Sequence, residues 1–397
     1  MTKKEVFESY DQFIFPTYSR LPAIFVKGKG SVLTDIDGKK YLDLFPGWGV
    51  SNVGHCHPKV MAAVRDQVSK LIHISNNFFG INQARLAREL VRAAFPGKVF
   101  FCNSGAEANE AAIKFSRLFG KGERYEIITT MNSFHGRTMG ALAATGQEKH
   151  QKGFAPLPGG FVTVPFNDIG AIKLAINERT VAVMIEPIQG EGGINVAEPE
   201  YMKAVRGLCD ANGLLLILDE VQTGFGRTGR MFAYQHYDIE PDMITMAKGL
   251  GGGLPIGAML AADKHAHLFQ PGMHGTTFGG SPLVTKAALG VIEAIAKDKM
   301  LKNARVLGAY LMDKLNALKA RTPVIREVRG LGLMVGVELT IEGRGIFEEC
   351  FNNGLIINCT QSKVLRIMPA LNITRKQIDK ALNILEKAIL KLTQDQG

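Results

Sequence analysis

The sequence has few cysteines, and their spacing favours neither cross-links nor metal binding. Five cysteines occur in 397 residues, an odd number, and none lies in a C-x-x-C pair. This argues against a disulfide framework and against a thiolate zinc site. The motif "GHCHP" at residues 54–58 offers only two histidines, so it predicts a polar turn before a helix. We expect no bound metal.

Long hydrophobic runs and blocks of like charge are also missing. No run of 18 apolar residues occurs, and the first ten residues, "MTKKEVFESY", lack the apolar core of a secretion signal. The formal net charge is +10, but Lys and Arg are mixed with Asp and Glu along the chain. We therefore expect a cytoplasmic protein with no membrane or nucleic-acid partner, and with affinity for anionic small molecules.

Seven short apolar runs do occur, separated by helical stretches such as Glu200–Asn212. The runs read "KVFFCNSG", "YEIITT", "GFVTVPF", "VAVMIEP", "LLLILDE", "DMITMAKG" and "PIGAMLAA". Near-continuous apolar runs are typical of strands buried on both faces, and the helices between them indicate parallel crossovers. The sequence therefore predicts an α/β fold with a doubly wound, mostly parallel sheet.

The pattern changes at both ends of this region, which suggests three segments. Residues 59–280 should form the large domain, and residues 1–58 should precede it as a segment with short strands. Residues 281–397 should supply a connecting helical stretch at Leu283–Ala320, strands within Val324–Leu339, and a final helix capped by Thr374.

In sheets of this type, ligands bind where the strands end, which makes the polar residues after each run site candidates. Lys248 follows one run and precedes the glycines of "GLGGG". A partly desolvated lysine loses its proton near neutral pH and can form a Schiff base with an aldehyde. Asp219 ends another run, where a carboxylate is costly unless it faces a cation such as a protonated pyridine ring. The alternatives are a surface lysine and a turn-capping aspartate.

Two further motifs suit an anionic ligand with an aromatic ring. Ser104-Gly105-Ala106 would place free backbone N–H groups at a helix N-terminus, which is a phosphate site unless the serine merely caps the helix. "NSFHGRT" offers Phe134, which can stack on a ring, and Arg137, which can bind a carboxylate.

Taken together, these motifs resemble the class III (subgroup II, fold type I) pyridoxal-phosphate aminotransferases, and most closely the acetylornithine aminotransferases among them. The resemblance covers nearly the whole chain. The motifs that carry it include "SGAEANEAAIK", "FHGRT", "EPIQGEGG", "LDEVQTGFGRTG", "MAKGLGGGLPIGA", "HGTTFGGSPL" and "LRIMPAL". It implies the fold type I arrangement, with a large sheet domain and a small α+β domain built from the N- and C-terminal segments.

The resemblance also implies the cofactor, pyridoxal 5'-phosphate, and the residues that hold it. Lys248 would bind the cofactor covalently and move protons, while Asp219 would keep the ring nitrogen protonated. Gly105 and Ala106 would bind the phosphate through backbone N–H groups. Other residues implied around the ring are Phe134, Glu220, Val221 and Gln222. Thr277 would bind the phosphate of the neighbouring subunit's cofactor, so we expect a homodimer with shared active sites.

The substrates that the resemblance implies are an N-acylated ornithine and the pair glutamate/2-oxoglutarate. Arg137 would bind the α-carboxylate of the acylornithine, and Arg366 that of glutamate. Glu191 would pair with Arg366 in the other half-reaction, although a structural salt bridge is the alternative. Further residues implied near the substrate are Trp48, Glu186 and Thr276. Trp48, within "PGWGVSNVGH", and Thr276 depart from the usual family pattern, which leaves the acyl preference open.

The expected activity is therefore N2-acetylornithine:2-oxoglutarate transamination in arginine biosynthesis. The alternatives are the N-succinylornithine and N-succinyl-LL-diaminopimelate reactions, which use related donors. An aminomutase is less well supported, because it would not need an arginine and glutamate for 2-oxoglutarate. A non-catalytic pyridoxal-phosphate regulator is disfavoured as well, because the N-terminal segment has no helix-turn-helix pattern.

Overall fold

Helices and strands alternate along most of the chain. The computed structural model describes residues 1–394. The α-helices in that range are α1 (Lys3–Phe13), α2 (Pro58–Val68), α3 (Ile81–Ala93), α4 (Gly105–Phe119), α5 (Met139–Ala144), α6 (Glu148–Gln151), α7 (Ile169–Ala175), α8 (Pro199–Asn212), α9 (Pro282–Lys297), α10 (Met300–Lys319), α11 (Arg344–Asn352) and α12 (Arg375–Gln394). Single 3₁₀ turns occur at Ala233–His236, Lys248–Leu250 and Asp263–His265.

The strands form four sheets, two of them in the terminal parts of the chain. The strands are β1 (Phe25–Lys29), β2 (Val32–Asp35), β3 (Lys40–Asp43), β4 (Gly97–Cys102), β5 (Glu126–Thr130), β6 (Phe161–Val164), β7 (Thr180–Ile185), β8 (Ile188–Gln189), β9 (Asn195–Val196), β10 (Leu215–Asp219), β11 (Met243–Met246), β12 (Gly257–Ala262), β13 (Ile325–Leu331), β14 (Met334–Leu339), β15 (Leu355–Ile356), β16 (Asn358–Thr360) and β17 (Val364–Ile367).

The central sheet has seven strands in the order β4-β12-β11-β10-β7-β5-β6. Each of the seven apolar runs forms one of these strands. Six strands run in the same direction, and β12 is antiparallel to both of its neighbours. The prediction of a mostly parallel sheet is therefore confirmed, and the carboxyl ends of six strands lie at one edge.

Both faces of this sheet are buried, which explains why its strands lack polar alternation. Along β10, Leu215 and Ile217 pack with α4 on one face. Leu216 and Leu218 belong to the larger core on the opposite face, together with Met202 of α8. A strand covered on both sides has no position for a solvated side chain, so the run of apolar residues continues to its end.

The terminal segments of the chain meet in a second sheet, ordered β1-β2-β3-β15. The β2–β3 hairpin turns at Gly38, which has a φ of +83°, and β3 pairs in parallel with β15 near the other end of the chain. A third sheet, β13-β14-β17-β16, completes the C-terminal region. The division into residues 1–58, 59–280 and 281–397 stays a prediction, and residues 395–397 lie outside the described part.

Several local predictions can be compared with these elements. Thr374 caps α12, because its Oγ1 accepts from the backbone N of Gln377 at 3.3 Å. The single helical stretch at Leu283–Ala320 is wrong, since Lys299 adopts a left-handed φ of +56° and separates α9 from α10. Helix α1 was not predicted. Within residues 1–394, none of the helices combines the length and hydrophobicity that a membrane crossing requires.

Candidate active site

A cavity of about 450 Å³ opens at the carboxyl ends of the parallel strands. Its volume lies in the range of small-molecule and cofactor sites. The predicted site residues that line it are Gly105, Ala106, Phe134, Arg137, Glu186, Glu191, Asp219, Val221, Gln222 and Lys248. The fold therefore brings together residues that are separated by more than 140 positions in the sequence.

Lys248 lies in this cavity, two residues after the end of β11. Burial lowers the pKa of its ammonium group, although the nearby carboxylates Glu191 and Asp219 partly oppose the shift. Its φ of +22° is unusual for a residue other than glycine, and such strained backbone is concentrated at functional sites. A lowered pKa favours the uncharged, nucleophilic form of the amine.

Asp219 ends β10 and is only 4% exposed. Its Oδ2 accepts hydrogen bonds from Asn109 Nδ2 and His135 Nδ1, both at 2.8 Å, and its Oδ1 accepts from the backbone N of Val221 at 3.0 Å. These three hydrogen bonds hold the carboxylate in one orientation inside the cavity, where it can bind a cation.

His135 and Asn109 support this carboxylate, and the sequence reasoning missed both. Burial disfavours a charged imidazole, but the hydrogen bond and the charge of Asp219 outweigh it, so the pKa of His135 is raised. Asn109 also donates to the backbone oxygen of His135 at 2.6 Å. The only sequence signal was their position within "SGAEANEAAIK" and "FHGRT", because neither partner is close to Asp219 in the chain.

Glu186 follows β7 and is also buried. Its carboxylate accepts from the backbone N of Phe134 at 2.9 Å and of Gly190 at 3.2 Å. Burial raises the pKa of Glu186 above its ordinary value. Through these two hydrogen bonds, the Glu186 carboxylate connects the loop that carries Phe134 to the loop that precedes Glu191.

The N-terminus of α4 forms another wall of the cavity. Ser104 caps the helix by accepting from the backbone N of Glu107 at 3.2 Å. A Cβ at Gly105 would lie 2.8 Å from Val221 Cγ1, so this position requires glycine. The first N–H groups of a 15-residue helix therefore face the cavity beside a bare main chain, as an anionic group requires.

Glu191 lines the cavity and forms a bidentate ion pair with Arg366, which does not line it. Nη1 of Arg366 donates to Glu191 Oε1 at 2.6 Å, and Nη2 donates to Oε2 at 3.1 Å. Nε of Arg366 donates to Asn358 Oδ1 at 2.8 Å, and the residue is only 1% exposed. Burial alone would raise the pKa of Glu191, but the charge and hydrogen bonds of Arg366 hold it below its ordinary value.

Arg137 differs from Arg366 in every one of these respects. Its side chain is exposed, and within residues 1–394 it has no carboxylate partner. Its guanidinium lies 5.5 Å from the ring centre of Phe134, which in turn packs edge-on against His150. An unpaired guanidinium at the mouth of the cavity is available to a carboxylate from solution.

Glu220 was predicted at the cofactor, but the structure does not bring it to the cavity. Its carboxylate accepts from the backbone N of Ala233 at 3.0 Å, the backbone N of Tyr234 at 2.8 Å, and the hydroxyl of Thr223. Because successive side chains after a strand point to opposite sides, Asp219 faces the cavity and Glu220 faces away. Burial raises the pKa of Glu220 to about 7.

Thr276, Thr277 and Trp48 also lie outside this chain's cavity. Thr276 Oγ1 accepts from Asn103 Nδ2 at 3.0 Å, and Thr277 is exposed. Trp48 is 49% exposed, and its ring lies 5.8 Å from the guanidinium carbon of Arg366, beside Phe45. The structure therefore places Trp48 next to Arg366, a neighbour that the resemblance had not implied.

The arrangement fits pyridoxal phosphate. Gln222 Oε1 is buried and has no hydrogen-bond partner within residues 1–394, so it can accept from a ring hydroxyl. Asp219 can hold a protonated ring nitrogen, and the α4 N-terminus can hold the phosphate. Fold and site together define a pyridoxal-phosphate-dependent enzyme.

Comparisons with known proteins agree with this class. The family model of the class-III aminotransferases matches residues 14–389. The chain belongs to this family, and it is a transaminase that uses pyridoxal phosphate.

Named relatives cover nearly the full chain. The acetylornithine aminotransferase of Methanocaldococcus jannaschii is 51% identical over 382 residues, covering 94% of this chain and 95% of that protein. The acetylornithine aminotransferase of Caldanaerobacter subterraneus is 48% identical and covers 96% of this chain and 98% of its own. The crystal structure of the Toxoplasma gondii ornithine aminotransferase has a TM-score of 0.95 at 32% identity, covering 100% of this chain and 96% of that one.

Proposed function

We propose that this transaminase transfers the δ-amino group of N2-acetylornithine to 2-oxoglutarate, as a step in arginine biosynthesis. The names of its relatives support the donor. The observation that carries the proposal is the buried ion pair between Arg366 and Glu191 beside Lys248, combined with the unpaired Arg137 at the cavity mouth.

The two arginines solve a problem that the two substrates create. Acetylornithine has its α-carboxylate far from the reacting amine, whereas glutamate has one next to the reacting carbon. One cation cannot lie at both distances. We therefore assign the distant carboxylate to Arg137 and the near carboxylate to Arg366.

Glu191 would make this division workable. While the acylated donor is bound, Glu191 neutralises Arg366, so that no uncompensated buried charge faces the donor's methylene chain. When glutamate or 2-oxoglutarate arrives, its carboxylate displaces Glu191 and forms its own bidentate pair with Arg366. Because the Glu191 side chain is 14% exposed, its carboxylate can turn toward solvent when the ion pair separates.

Lys248 and Asp219 would carry the chemistry common to both substrates. When bound, pyridoxal phosphate supplies an aldehyde that joins to amines and a ring that stabilises negative charge at the reacting carbon. Burial favours the uncharged form of Lys248 Nζ, which accepts and returns the proton at that carbon. The Asp219 carboxylate, fixed by His135 and Asn109, favours a proton on the ring nitrogen.

Other assignments concern the cofactor environment and the assembly. We assign the phosphate to the backbone N–H groups of Gly105 and Ala106, and the ring faces to Phe134 and Val221. We further propose a homodimer in which the exposed Thr277 binds the partner's cofactor phosphate. A cytoplasmic location is supported by the five cysteines, all of them free.

The test is a direct assay of the purified enzyme. N2-acetylornithine, N-succinylornithine, N-succinyl-LL-diaminopimelate and ornithine are each offered as donor with 2-oxoglutarate, and glutamate formation is measured. We expect the highest kcat/KM with N2-acetylornithine. A higher kcat/KM for a succinylated donor would contradict the acetyl assignment, and no glutamate with any donor would contradict the proposed acceptor.

A further inference from the structure

The loop that carries Glu191 is held by its main chain. The carbonyl oxygen of Glu191 accepts from Thr360 Oγ1 at 2.8 Å and from Gln361 Nε2 at 3.0 Å. The carbonyl of Gly190 accepts from Arg366 Nη1 at 2.9 Å. Both oxygens therefore bind side chains of the C-terminal region, independently of the Glu191 carboxylate.

The next residues of this loop are fixed in the same way. Gly193 O accepts from Arg329 Nε at 3.1 Å and Nη2 at 2.7 Å, and Ile194 N donates to Gln189 O at 2.9 Å. A backbone tied at successive residues cannot move far without breaking several hydrogen bonds at once. Glu191 can therefore leave Arg366 by rotating its side chain, while its main chain stays in place.

Gln361 also joins this loop to the loop of the second arginine. Its Nε2 donates to Gln147 Oε1 at 3.2 Å, and Gln147 Nε2 donates to the backbone oxygen of Ser133 at 3.0 Å. Ser133 directly precedes Phe134 in the segment that leads to Arg137. Gln361 holds this position in a left-handed conformation, with a φ of +48°, which costs energy for a residue other than glycine.

We propose that Gln361 is a positioning residue for the carboxylate exchange at Arg366, an inference that rests on the proposed function. By fixing the Glu191 main chain, it keeps the Gly190 carbonyl on Arg366 when the Glu191 side chain leaves. The guanidinium then keeps its orientation and presents its two free donors to the incoming dicarboxylate. Without Gln361, the Glu191 carbonyl would keep only the Thr360 hydrogen bond, and the Gly190 carbonyl would hold Arg366 less firmly.

The test measures binding without turnover. Two unreactive ligands are titrated into the holoenzyme by calorimetry: glutarate, which offers the near carboxylate, and N2-acetylnorvaline, which is acetylornithine without its amine. Gln361→Leu keeps the side-chain volume but cannot donate. We expect glutarate to bind about three- to tenfold more weakly, the effect of one hydrogen bond. N2-acetylnorvaline should bind as it does to the wild type, because Gln147 keeps its own hydrogen bond to Ser133 on the loop that leads to Arg137.

Gln151 provides a matched control in the same part of the molecule. Its Nε2 also donates to two carbonyl oxygens, those of Leu142 and Thr145, but it does not contact Glu191. Gln151→Leu should leave both affinities unchanged. Thr360→Val removes the other donor to Glu191 O. Like Gln361→Leu, it should lower the affinity for glutarate.

Two results would overturn the role of Gln361. One is an unchanged affinity for glutarate in Gln361→Leu, and the other is an equal loss for both ligands, which would indicate general loosening of the site. Failure of the proposed function would appear in a different measurement, the assay of the wild type, which would then show no amino-group transfer from N2-acetylornithine to 2-oxoglutarate. The glutarate comparison still decides the role of Gln361 in that case, because it needs no turnover.

Discussion

The two arginines of the candidate site occupy opposite environments. Arg366 lies on a strand, is 1% exposed, and has its charge fully paired by Glu191. Arg137 lies on a loop at the cavity mouth, is exposed, and has no carboxylate partner within residues 1–394. A counter-charge offsets the cost of burying a cation, whereas a solvated cation is stabilised by water.

This difference explains why only one of the two regions needs a mobile partner. A carboxylate can bind Arg137 by displacing water alone. At Arg366 it must replace a carboxylate of equal charge, so the net charge of the buried region stays constant through the exchange. The protein therefore places the more specific, bidentate site in its core and the more accessible one at the rim.

The largest expected effect comes from removing Lys248, which acts in both half-reactions. Lys248→Ala should reduce both half-reactions together, by more than about a thousandfold, because it removes the amine assigned to move the proton at the reacting carbon. The measurement is single-turnover absorbance spectroscopy with each amino donor in turn. Turnover near the wild-type rate with either donor would rule out the role assigned to Lys248.

Asp219→Asn should have the next largest effect, and it should impair the half-reactions of both donors. An amide cannot stabilise a protonated ring nitrogen, and it leaves His135 without its charged partner. We expect a loss of about 100- to 10,000-fold in kcat for both donors, with much of the cofactor binding retained. Cofactor content and kcat are measured on the same preparation, and a near-normal kcat would show that Asp219 is only a turn residue.

The sharpest test of the comparison removes each arginine in turn. Arg366→Ala should impair the glutamate half-reaction more than the acetylornithine one, and Arg137→Ala should do the reverse. Each loss should amount to about 2–5 kcal/mol, the cost of removing one partner of a charged pair. Single-turnover rates with each donor give the answer.

Arg366→Ala also leaves the largely buried Glu191 carboxylate without its charge partner, which lowers stability. The double variant Arg366→Ala/Glu191→Gln removes that charge, so it controls for unfolding. If both arginine variants impair both half-reactions equally, the divided assignment is wrong.

Trp48 tests how far the Arg366 region extends. Because its ring lies 5.8 Å from the Arg366 guanidinium carbon, Trp48→Ala should raise the KM for 2-oxoglutarate about two- to fivefold, the range of an exposed cation–π contact. The family resemblance implies instead a change in acetyl-to-succinyl preference. Steady-state kinetics with both acyl donors and varied 2-oxoglutarate distinguishes the two, and no change in either would leave Trp48 with a packing role alone.

The smallest effect concerns acid stability. The pKa of Glu191 is depressed in the folded protein below its unfolded value of 4.5. The ion pair therefore contributes its full stability above pH 4.5, and this contribution is lost as the pH falls through the lowered folded pKa. Glu191→Gln should make the melting temperature less sensitive to pH below 4.5, by on the order of one or two degrees. An unchanged pH dependence would contradict the predicted shift.

The central sheet could be predicted from the sequence because burial on both faces leaves a strong local signal. Each strand is a run of apolar residues, and the residue at its end is polar, as at Asp219. Helix α1 gives no such signal, since it has no buried residue and packs little against the rest of the chain. The break at Lys299 was missed because a left-handed lysine has no characteristic sequence pattern.

The site was partly predictable for the same reason. Lys248 and Asp219 follow strands, so topology alone places them at one edge of the sheet. The contacts of His135, Asn109 and Gln361 depend on partners tens to hundreds of positions away, which no local pattern encodes. Glu220 shows the opposite error: it adjoins Asp219 in sequence, but the alternation of side chains turns it away from the cavity.

The pairing of β3 with β15 has a consequence for synthesis of the chain. Leu42 cannot pair with Leu355 until that residue has been synthesised, on the order of 300 residues later. At about 5–20 residues per second this is a delay of roughly 15 to 60 s, during which one edge of β3 has no partner strand. Unpaired strand edges promote aggregation. A chain that ends before residue 355 should therefore accumulate as insoluble material even though its central sheet is complete.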